Sequence, residues 1–577
     1  MRFEDRVSYA HASRSFEAVI ARTSDGRNIE EKSMNLNQEI IEEILVKRGI
    51  TSEDARTEFF AVKPQLAYDP FLLHNMDAGV ETLLGAIDAG KRIVIYGDYD
   101  ADGVTSTVVL LKILRCLTDN ITYYIPSRIE EGYGLHNEAI DRIHQNGGEF
   151  IVTVDCGSSS PEEIAYAKSL GIDMLVTDHH NMSNVPEGAL IINPKSPEDS
   201  YPFSGLAGVG VAYKLGLAIS RRREIPRKII SEMLEFVAIG TVADIMPLVD
   251  ENRSFVKYGL MWMNRGCCNP GLRRLIEMAG LDCRTLTSTN ISFGIAPRIN
   301  AAGRVGDAEL GVKLFMAENP DEIEKYCQDM IERNKLRQKW QEIAYHQCIK
   351  KARQEYRKGD FLLIEAENVH EGILGIVAGK IKEEAKRPTV IVAPNGSDYK
   401  GTGRSVNKVD IYEMLNRYRD EFLRFGGHRA ACGFTIEASK IPALREHLNQ
   451  DLKAMLDADE TLFQDEIEYD MDLEPEELTV SLAEDLKKFE PCGKDNEAPK
   501  FRITYVVPEN WKFLKNDTKY AKFHIGDLDC ILFHDVKRYY EMMQANEYLD
   551  VYGTLEVNEW RGNRTAQLMV TDITPCE

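Results

Sequence analysis

RIVIYGDYDADG, Arg92–Gly103, decides the fold. Its first half is a short apolar run of the kind that forms a buried strand. Its second half sets Asp98, Asp100 and Asp102 at alternate positions just past that strand, and Gly103 leads into a helical stretch, TSTVVLLKILRCL. The form recurs twice. EFIVTVDCG (Glu149–Gly157) and IDMLVTDHH (Ile172–His180) are further apolar runs ending on Asp or His, with PEEIAYAKSLG between them. Strand, helix, strand, helix, strand is the signature of a parallel α/β sheet. Such sheets bind ligands beyond the carboxyl ends of their strands, so these acids and histidines are expected on one rim.

The pattern changes on either side. Residues 1–36 are polar and weakly patterned, and no role can be read from them. From 37 to 90 the spacing is helical, and 37–319 reads as one α/β domain with helices at its start. Residues 320–357 read as a long linking helix opened by Asn319-Pro320, with Ile323, Tyr326, Cys327, Met330 and Ile331 as its apolar stripe. A second, smaller α/β region spans 358–456, with FLLIEAE and PTVIVAP as strands. An acidic connector, 457–498, holds 11 acids and no Lys or Arg between Asp457 and Glu477, and reads as a solvated face. From 499 to 577 short alternating runs (FRITYVV, KFHIGD, CILFHD, LDVYGTLEV, AQLMVTDI) read as a small all-β barrel or sandwich.

Composition bounds the function. The 577 residues are 43% apolar and 28% charged, which allows a packed core and excludes global disorder. Acids outnumber bases 93 to 70, a net charge of −23, which argues against a general basic surface and leaves room for a local basic groove. The 11 cysteines contain no C-x-x-C pair, so neither a zinc framework nor a disulfide scaffold is expected, and Cys267 and Cys268 read as buried thiols. The first residues lack the apolar core of a signal peptide, and no run of about 18 apolar residues occurs, so no membrane contact and a cytoplasmic location are expected.

Three carboxylates as close as Asp98, Asp100 and Asp102 repel, and a divalent cation removes the conflict. If the chain stays extended there, all three point the same way. An EF-hand is excluded because position 111 is Leu; an Asp-rich turn before a helix remains open. Asp155 and the pair His179-His180 end the next two strands, and imidazole with carboxylate suits Mn²⁺, Fe²⁺ or Zn²⁺ better than Mg²⁺ alone. Asp244, in GTVADIMPL, is a fourth acid after an apolar helix and equally suits a turn cap. Together these groups can hold two metals about 3.5–4 Å apart for phosphoryl hydrolysis. Two look-alikes fail. Gly375–Lys380 is one residue short of a Walker A loop, and Gly208-Val-Gly210 lacks a third Gly, so no nucleotide cofactor is expected.

YGDYDADGVTS, VTVDCG, VTDHH and GTVADIMPL resemble the four ordered motifs of the DHH phosphoesterase superfamily. HEGILGIVAGKI, GTGRSVN and FGGHRAACGF resemble its DHH-associated domain. APRINAAGR, LAGVGVAYKL and the tail LEVNEWRGNRTAQLMVTDI are similar to the RecJ branch, whose C-terminal domain is an oligonucleotide-binding barrel. The resemblance covers nearly everything from 37 to 577. It implies a 5′→3′ exonuclease that hydrolyses single-stranded DNA to mononucleotides with two divalent ions, Mn²⁺ or Mg²⁺. It also implies a metal core of Asp100, Asp102, Asp155, His179 and Asp244, bridged by Asp155. Asp98 and His180 would be ligands or contact the scissile phosphate. Position 96 is Tyr where the related pyrophosphatases carry His, which weighs against that branch.

The second domain supplies candidate substrate contacts. Gly426 and Gly427 let backbone amides approach a phosphate, and His428 can donate to it. Arg404 and Ser405 form another anion contact, and Arg298 and Arg304 suit phosphate oxygens, although each Arg equally suits a structural salt bridge. Tyr505, Trp511 and Trp560 can stack on bases or pack as core or edge aromatics. The Pro-Phe-Gly-x-Gly-Asn-Pro turn usual in the family is altered here to Pro491–Glu497, PCGKDNE, which leaves its geometry open. A single-strand binding protein or a helicase is the expected protein partner. Alternatives are a DHH phosphodiesterase acting on short oligoribonucleotides or cyclic dinucleotides, and an inactive DHH scaffold in a replication complex.

Overall fold

The computed structural model describes residues 26–576 except 129, 183–188, 267–268, 407, 465 and 515–518, with side chains from 36 onward. Residues 1–25 and the thiols Cys267 and Cys268 therefore lie outside the described residues. The chain divides into two compact units. One holds 61–466 with 490–497; the other joins the segments up to Phe60, Ile467–Phe489 and Ala498–Glu577.

The first unit begins with five parallel strands: β1 (Ile93–Tyr96), β2 (Ile121–Tyr124), β3 (Phe150–Val154), β4 (Asp173–Thr177) and β5 (Leu190–Ile192). Their order is β2-β1-β3-β4-β5, every neighbour parallel. After β2 the chain crosses back over β1, so the order reverses between β1 and β3, the place where doubly wound sheets bind ligands. β1 and β3 are buried along their whole length, which is why they read as continuous apolar runs. Helix α1 (Ala101–Leu114) packs against α2 (Gly208–Arg222) and α3 (Leu234–Ala243) beside this sheet.

A π-helical turn, Ile291–Ile295, runs into α4 (Ala296–Val305). Helix α5 (Pro320–Glu355) follows with Asn319 as its cap, so the long linking helix forms as its periodicity predicts, spanning about 54 Å. It packs against α4 and against α6 (Glu371–Ala385). The smaller α/β region is a mixed sheet of β6 (Leu362–Glu365), β7 (Thr389–Asn395), β8 (Asp398–Arg404), β9 (Phe422–His428) and β10 (Ala431–Glu437). Its order is β6-β7-β8-β10-β9, and only β6 and β7 are parallel.

The second unit is built on a seven-stranded sheet, β11 (Met471–Asp472), β12 (Lys500–Val506), β13 (Glu509–Phe513), β14 (Ala521–Ile525), β15 (Leu528–Leu532), β16 (Leu549–Trp560) and β17 (Asn563–Pro575), in the order β11-β12-β16-β17-β15-β14-β13. The alternating runs do form strands. The module is not all-β, however: Val536–Ala545 is a helix that buries Val536 and Tyr539, three residues apart. Within the acidic connector the only strand among the described residues is the two-residue β11, and its Asp472 pairs with Arg502. Helices Gly26–Lys47 and Glu53–Phe60 fall in this unit, not with the parallel sheet. Asn37 Nδ2 donates to Ser481 Oγ (3.0 Å) and Asp485 Oδ2 (2.9 Å), and the rings of Phe59 and Phe60 meet Phe489 edge-on.

Candidate active site

The loop after β1 does not stay extended. Asp100 caps α1, its Oδ1 accepting from the N–H of Asp102 (2.9 Å) and Gly103 (3.1 Å). The alternating acids therefore separate instead of pointing one way. Asp98 and Asp100 face Asp155, whereas Asp102 lies in the first turn of α1 and faces His179 and Asp244. Three groups result, Asp98–Asp100–Asp155, Asp155–His179–His180 and Asp102–His179–Asp244, and in each the ligand atoms lie within 4.8 Å of one another. Asp155 and His179 each belong to two of them. His179 Nε2 stands 3.1 Å from Asp155 Oδ1, 3.5 Å from Asp244 Oδ2 and 3.8 Å from Asp102 Oδ2.

The backbone is shaped to allow this crowding. Asp155 sits at φ 63°, a left-handed conformation that Asp tolerates better than most residues. Asp102 accepts from the N–H of Gly208 (2.7 Å) and Val209 (2.8 Å) at the start of α2, where the helix dipole favours a carboxylate. A Cβ on Gly208 would meet Asp155 at 2.6 Å, and one on Gly240 would meet Asp102 Oδ1 at 2.7 Å. Gly208, in LAGVGVA, thus makes room for Asp155, whereas Gly210 lies against Leu206.

Electrostatics expose the unmet need of the cluster. Burial pushes the carboxyls of Asp98, Asp102 and Asp155 well up, and neighbouring acids push them further: Asp100 acts on all three and Asp244 on Asp102. Burial and Asp100 raise Asp244 to about 7. Burial and then His180 hold His179 at about 3, so its imidazole is neutral, the ligand form. Asp155 Oδ1 and His179 Nε2 are buried without a hydrogen bond. Buried carboxylates, a neutral imidazole and unsatisfied ligand atoms fit divalent cations, which would neutralise the repulsion.

His180 is held differently. Burial pulls it down, but the hydrogen bond and charge of Asp178, with the charges of Asp244 and Asp102, raise it to about 9. Its Nδ1 lies 2.8 Å from Asp178 Oδ1 and 2.9 Å from the Tyr133 hydroxyl. Asn193 Nδ2 supports the same loop by donating to His180 O and Ser158 Oγ, both at 2.9 Å.

A second cluster lies within the same unit. Arg128, Arg304 and Arg404 line a cavity of about 170 Å³ together with the Lys400–Glu371 pair. Burial and Arg128 pull Arg304 down to about 9, and burial lowers Arg404. Their hydrogen bonds go to neutral groups: Arg304 Nη1 to Gly372 O (2.9 Å) and Arg404 Nη1 to Gly403 O (2.7 Å). A Cβ on Gly375 would meet Arg404 Nη2 at 2.7 Å, so the Walker-like glycine, which lies inside α6, gives space to this arginine. Lys380, from the same look-alike, stacks on Tyr345.

Other expected contacts diverge. Ser405 is buried and its Oγ donates to Val409 O (2.7 Å), and Arg298 Nη1 donates to Gly294 O away from the arginine cavity. Gly426, Gly427 and His428 end β9, and the charges of Arg404 and His180 both reach His428. Gly427 requires its freedom, with φ 148° and a would-be Cβ 2.4 Å from Ala431 O. In the second unit Trp511 stacks on Phe523, whereas Tyr505 and Trp560 are exposed. The altered turn still closes: Gly493 and Asn496 exchange backbone bonds, and Asn496 Nδ2 donates to Pro491 O.

The chain is similar to known proteins along most of its length. Residues 92–241 match the DHH family, N-terminal domain, 359–454 the DHHA1 domain and 469–572 the RecJ OB domain. The single-stranded-DNA-specific exonuclease RecJ of Salmonella typhimurium is 34% identical, over 93% of this chain and 96% of its own length. The chain belongs to the RecJ family. RecJ of Bacillus subtilis is 33% identical, over 93% of this chain and 68% of its own. The crystal structure of RecJ from Thermus thermophilus in complex with Mn²⁺ superposes with a TM-score of 0.79 at 28% identity, covering 93% of this chain and 76% of that one; the Mg²⁺ complex gives 0.74. The fold is thus that of a RecJ: DHH, DHH-associated and oligonucleotide-binding domains.

Several residues beside the site escaped the sequence reading. Arg128, Tyr133, Asn193 and the positioning role of Asp178 belong to loops beyond strand ends, where no periodicity marks them. Asp178 carried a signal, since it opens the Asp-His-His triplet.

Proposed function

We propose that the protein is a metal-dependent exonuclease that hydrolyses single-stranded DNA from its 5′ end to mononucleotides. The observation that carries this reading is the carboxylate and imidazole cluster at the β1/β3 switch point, in a RecJ-family chain whose curated relatives are named single-stranded-DNA-specific exonucleases. Asp98, Asp100, Asp102, Asp155, His179 and Asp244 would hold two divalent ions, Mn²⁺ or Mg²⁺, with Asp155 shared. Bound there, the ions would supply an activated water and neutralise charge on the phosphate oxygens.

The remaining work falls to side chains. Asp178 and Tyr133 fix Nδ1 of His180, leaving Nε2 to donate to a phosphate oxygen. Arg304 and Arg404, joined by Arg128, grip the terminal phosphate, for which paired guanidinium groups are suited. Gly426–His428 cover the strand, and exposed aromatics such as Trp560 stack on bases further along. We take 358–456 as the substrate-holding domain and 499–577 as the module that tracks the strand. A single-strand binding protein or a helicase, in the cytoplasm, would supply such strands.

The test is digestion of a long single strand and of a blunt duplex of the same length. With Mn²⁺ the single strand is expected to be degraded and the duplex spared, and EDTA or Asp155→Asn to stop the reaction. Equal digestion of the duplex, or cleavage in EDTA, would contradict the proposal.

A further inference from the structure

On the Asp244 side of the metal cluster the surface changes character. Ile245 is 68% exposed at φ 54°, a left-handed backbone that a β-branched residue rarely adopts. Such strain persists only where surroundings enforce it, and it gathers at functional sites. Here Leu248 N donates to Lys494 O (2.8 Å), which pins the turn 490–497 beside the segment. That turn is also tied to Ser288, whose hydroxyl donates to Cys492 O.

Five residues beyond Ser288 stands Phe293, 80% exposed, on the π-helical turn that packs against α3, the helix capped by Asp244. Single π turns are rare and frequent at functional sites. Phe293 is the most exposed large apolar side chain among the described residues. Helix α4 then acts as a ruler. It runs from the π turn past Asn300, which accepts from Ala101 N (2.8 Å) in the metal loop, to Arg304 in the arginine cavity. Phe293 and Arg304 therefore flank the metal loop, about 16 Å apart along a helical path. The charges of Lys195 and Lys494 both reach Asp244 from this side. Neither lysine has an ion pair among the described residues, in a chain of net charge −23.

We propose that this rim seats the nucleotides behind the scissile bond, with Phe293 and Ile245 taking a base face and Lys494 the adjoining phosphate. This rests on the exonuclease reading, because it needs a strand whose leading end lies in the arginine cavity. An aromatic platform and one cation hold any base sequence, as an enzyme that consumes whole strands requires.

The test is binding of a dinucleotide and of a twenty-nucleotide single strand, across a salt series, in an Asp155→Asn background. Phe293→Ala is expected to cut the affinity advantage of the longer strand about tenfold. Phe293→Trp should restore it and Phe293→Leu should not, since stacking rather than apolar volume is the claim. Lys494→Ala should lower the slope of log affinity against log salt by about 0.7, the loss of one phosphate contact on a single strand. Binding unaltered by Phe293→Ala and Lys494→Ala, or equal recovery with Leu and Trp, would overturn the inference. Absence of single-strand binding in the parent protein would instead overturn the exonuclease reading.

Discussion

Asp178 accepts from the backbone N–H of Ser158 (2.9 Å), His179 (2.7 Å) and His180 (3.2 Å), and stands 2.8 Å from His180 Nδ1. It touches no candidate metal position, yet it orients both histidines. Asp178→Asn is expected to lower activity about 10–100-fold with the fold retained, the usual cost of losing such a support; near-wild-type turnover would remove this role. Glu235 offers a test of stability. Its Oε2 accepts from Asn269 N (2.9 Å) and its Oε1 is buried without a partner. Burial raises its carboxyl from 4.5 to about 8. The folded pKa lies above the unfolded one, so the proton-bound form favours the fold. That contribution is full below about pH 4.5 and is lost as pH rises through about 8. Glu235→Gln should flatten the fall in melting temperature across this window, and an unchanged profile would contradict the assignment. The acids and histidines at strand ends were legible because each closes an apolar run. Arg128 was not, since nothing in its loop distinguishes it from the other 69 of the 70 bases until the fold brings Arg304 and Arg404 beside it.

Helix α2 shows how one element serves both stability and the site. Its N-terminus holds Asp102, and six residues on from Gly208, Lys214 is fully buried against Glu251, to which Tyr201 also donates (2.6 Å). Removing one member of a buried ion pair strands the other charge. Lys214→Met is expected to destabilise the protein by about 3–5 kcal/mol in denaturant unfolding; a loss below about 1 kcal/mol would show that Glu251 finds other relief. Gly208→Ala tests the opposite end. The added methyl has no space beside Asp155, so metal binding and activity should fall together, and wild-type activity would contradict the packing. Element types were readable where periodicity is strong, as in β1, β3 and α5. They were not where a short helix, Val536–Ala545, interrupts alternating strands. The extended reading of the acid triplet failed for a related reason: Asp100 has the side chain to cap a helix, and capping turned the chain.

Across the whole molecule, the net charge of −23 is reconciled with a DNA substrate by clustering. Arg128, Arg304 and Arg404 converge on one cavity, while many other cations are engaged in surface ion pairs. Composition could bound this outcome but not locate it, because sums of charge carry no geometry. The order of modules was legible from motifs; the placement of the first helices was not, since their partners, Ser481, Asp485 and Phe489, lie more than 400 residues away. In the proposed reaction one cluster, sharing Asp155, degrades a single strand from its 5′ end. The most direct measurement follows a long strand labelled separately at each end, with Mn²⁺, for the wild type and Asp155→Asn. The 5′ label is expected to appear first as mononucleotide, the 3′ label to follow late, and the variant to release neither. Early release of the 3′ label, or undiminished release by the variant, would contradict the proposal.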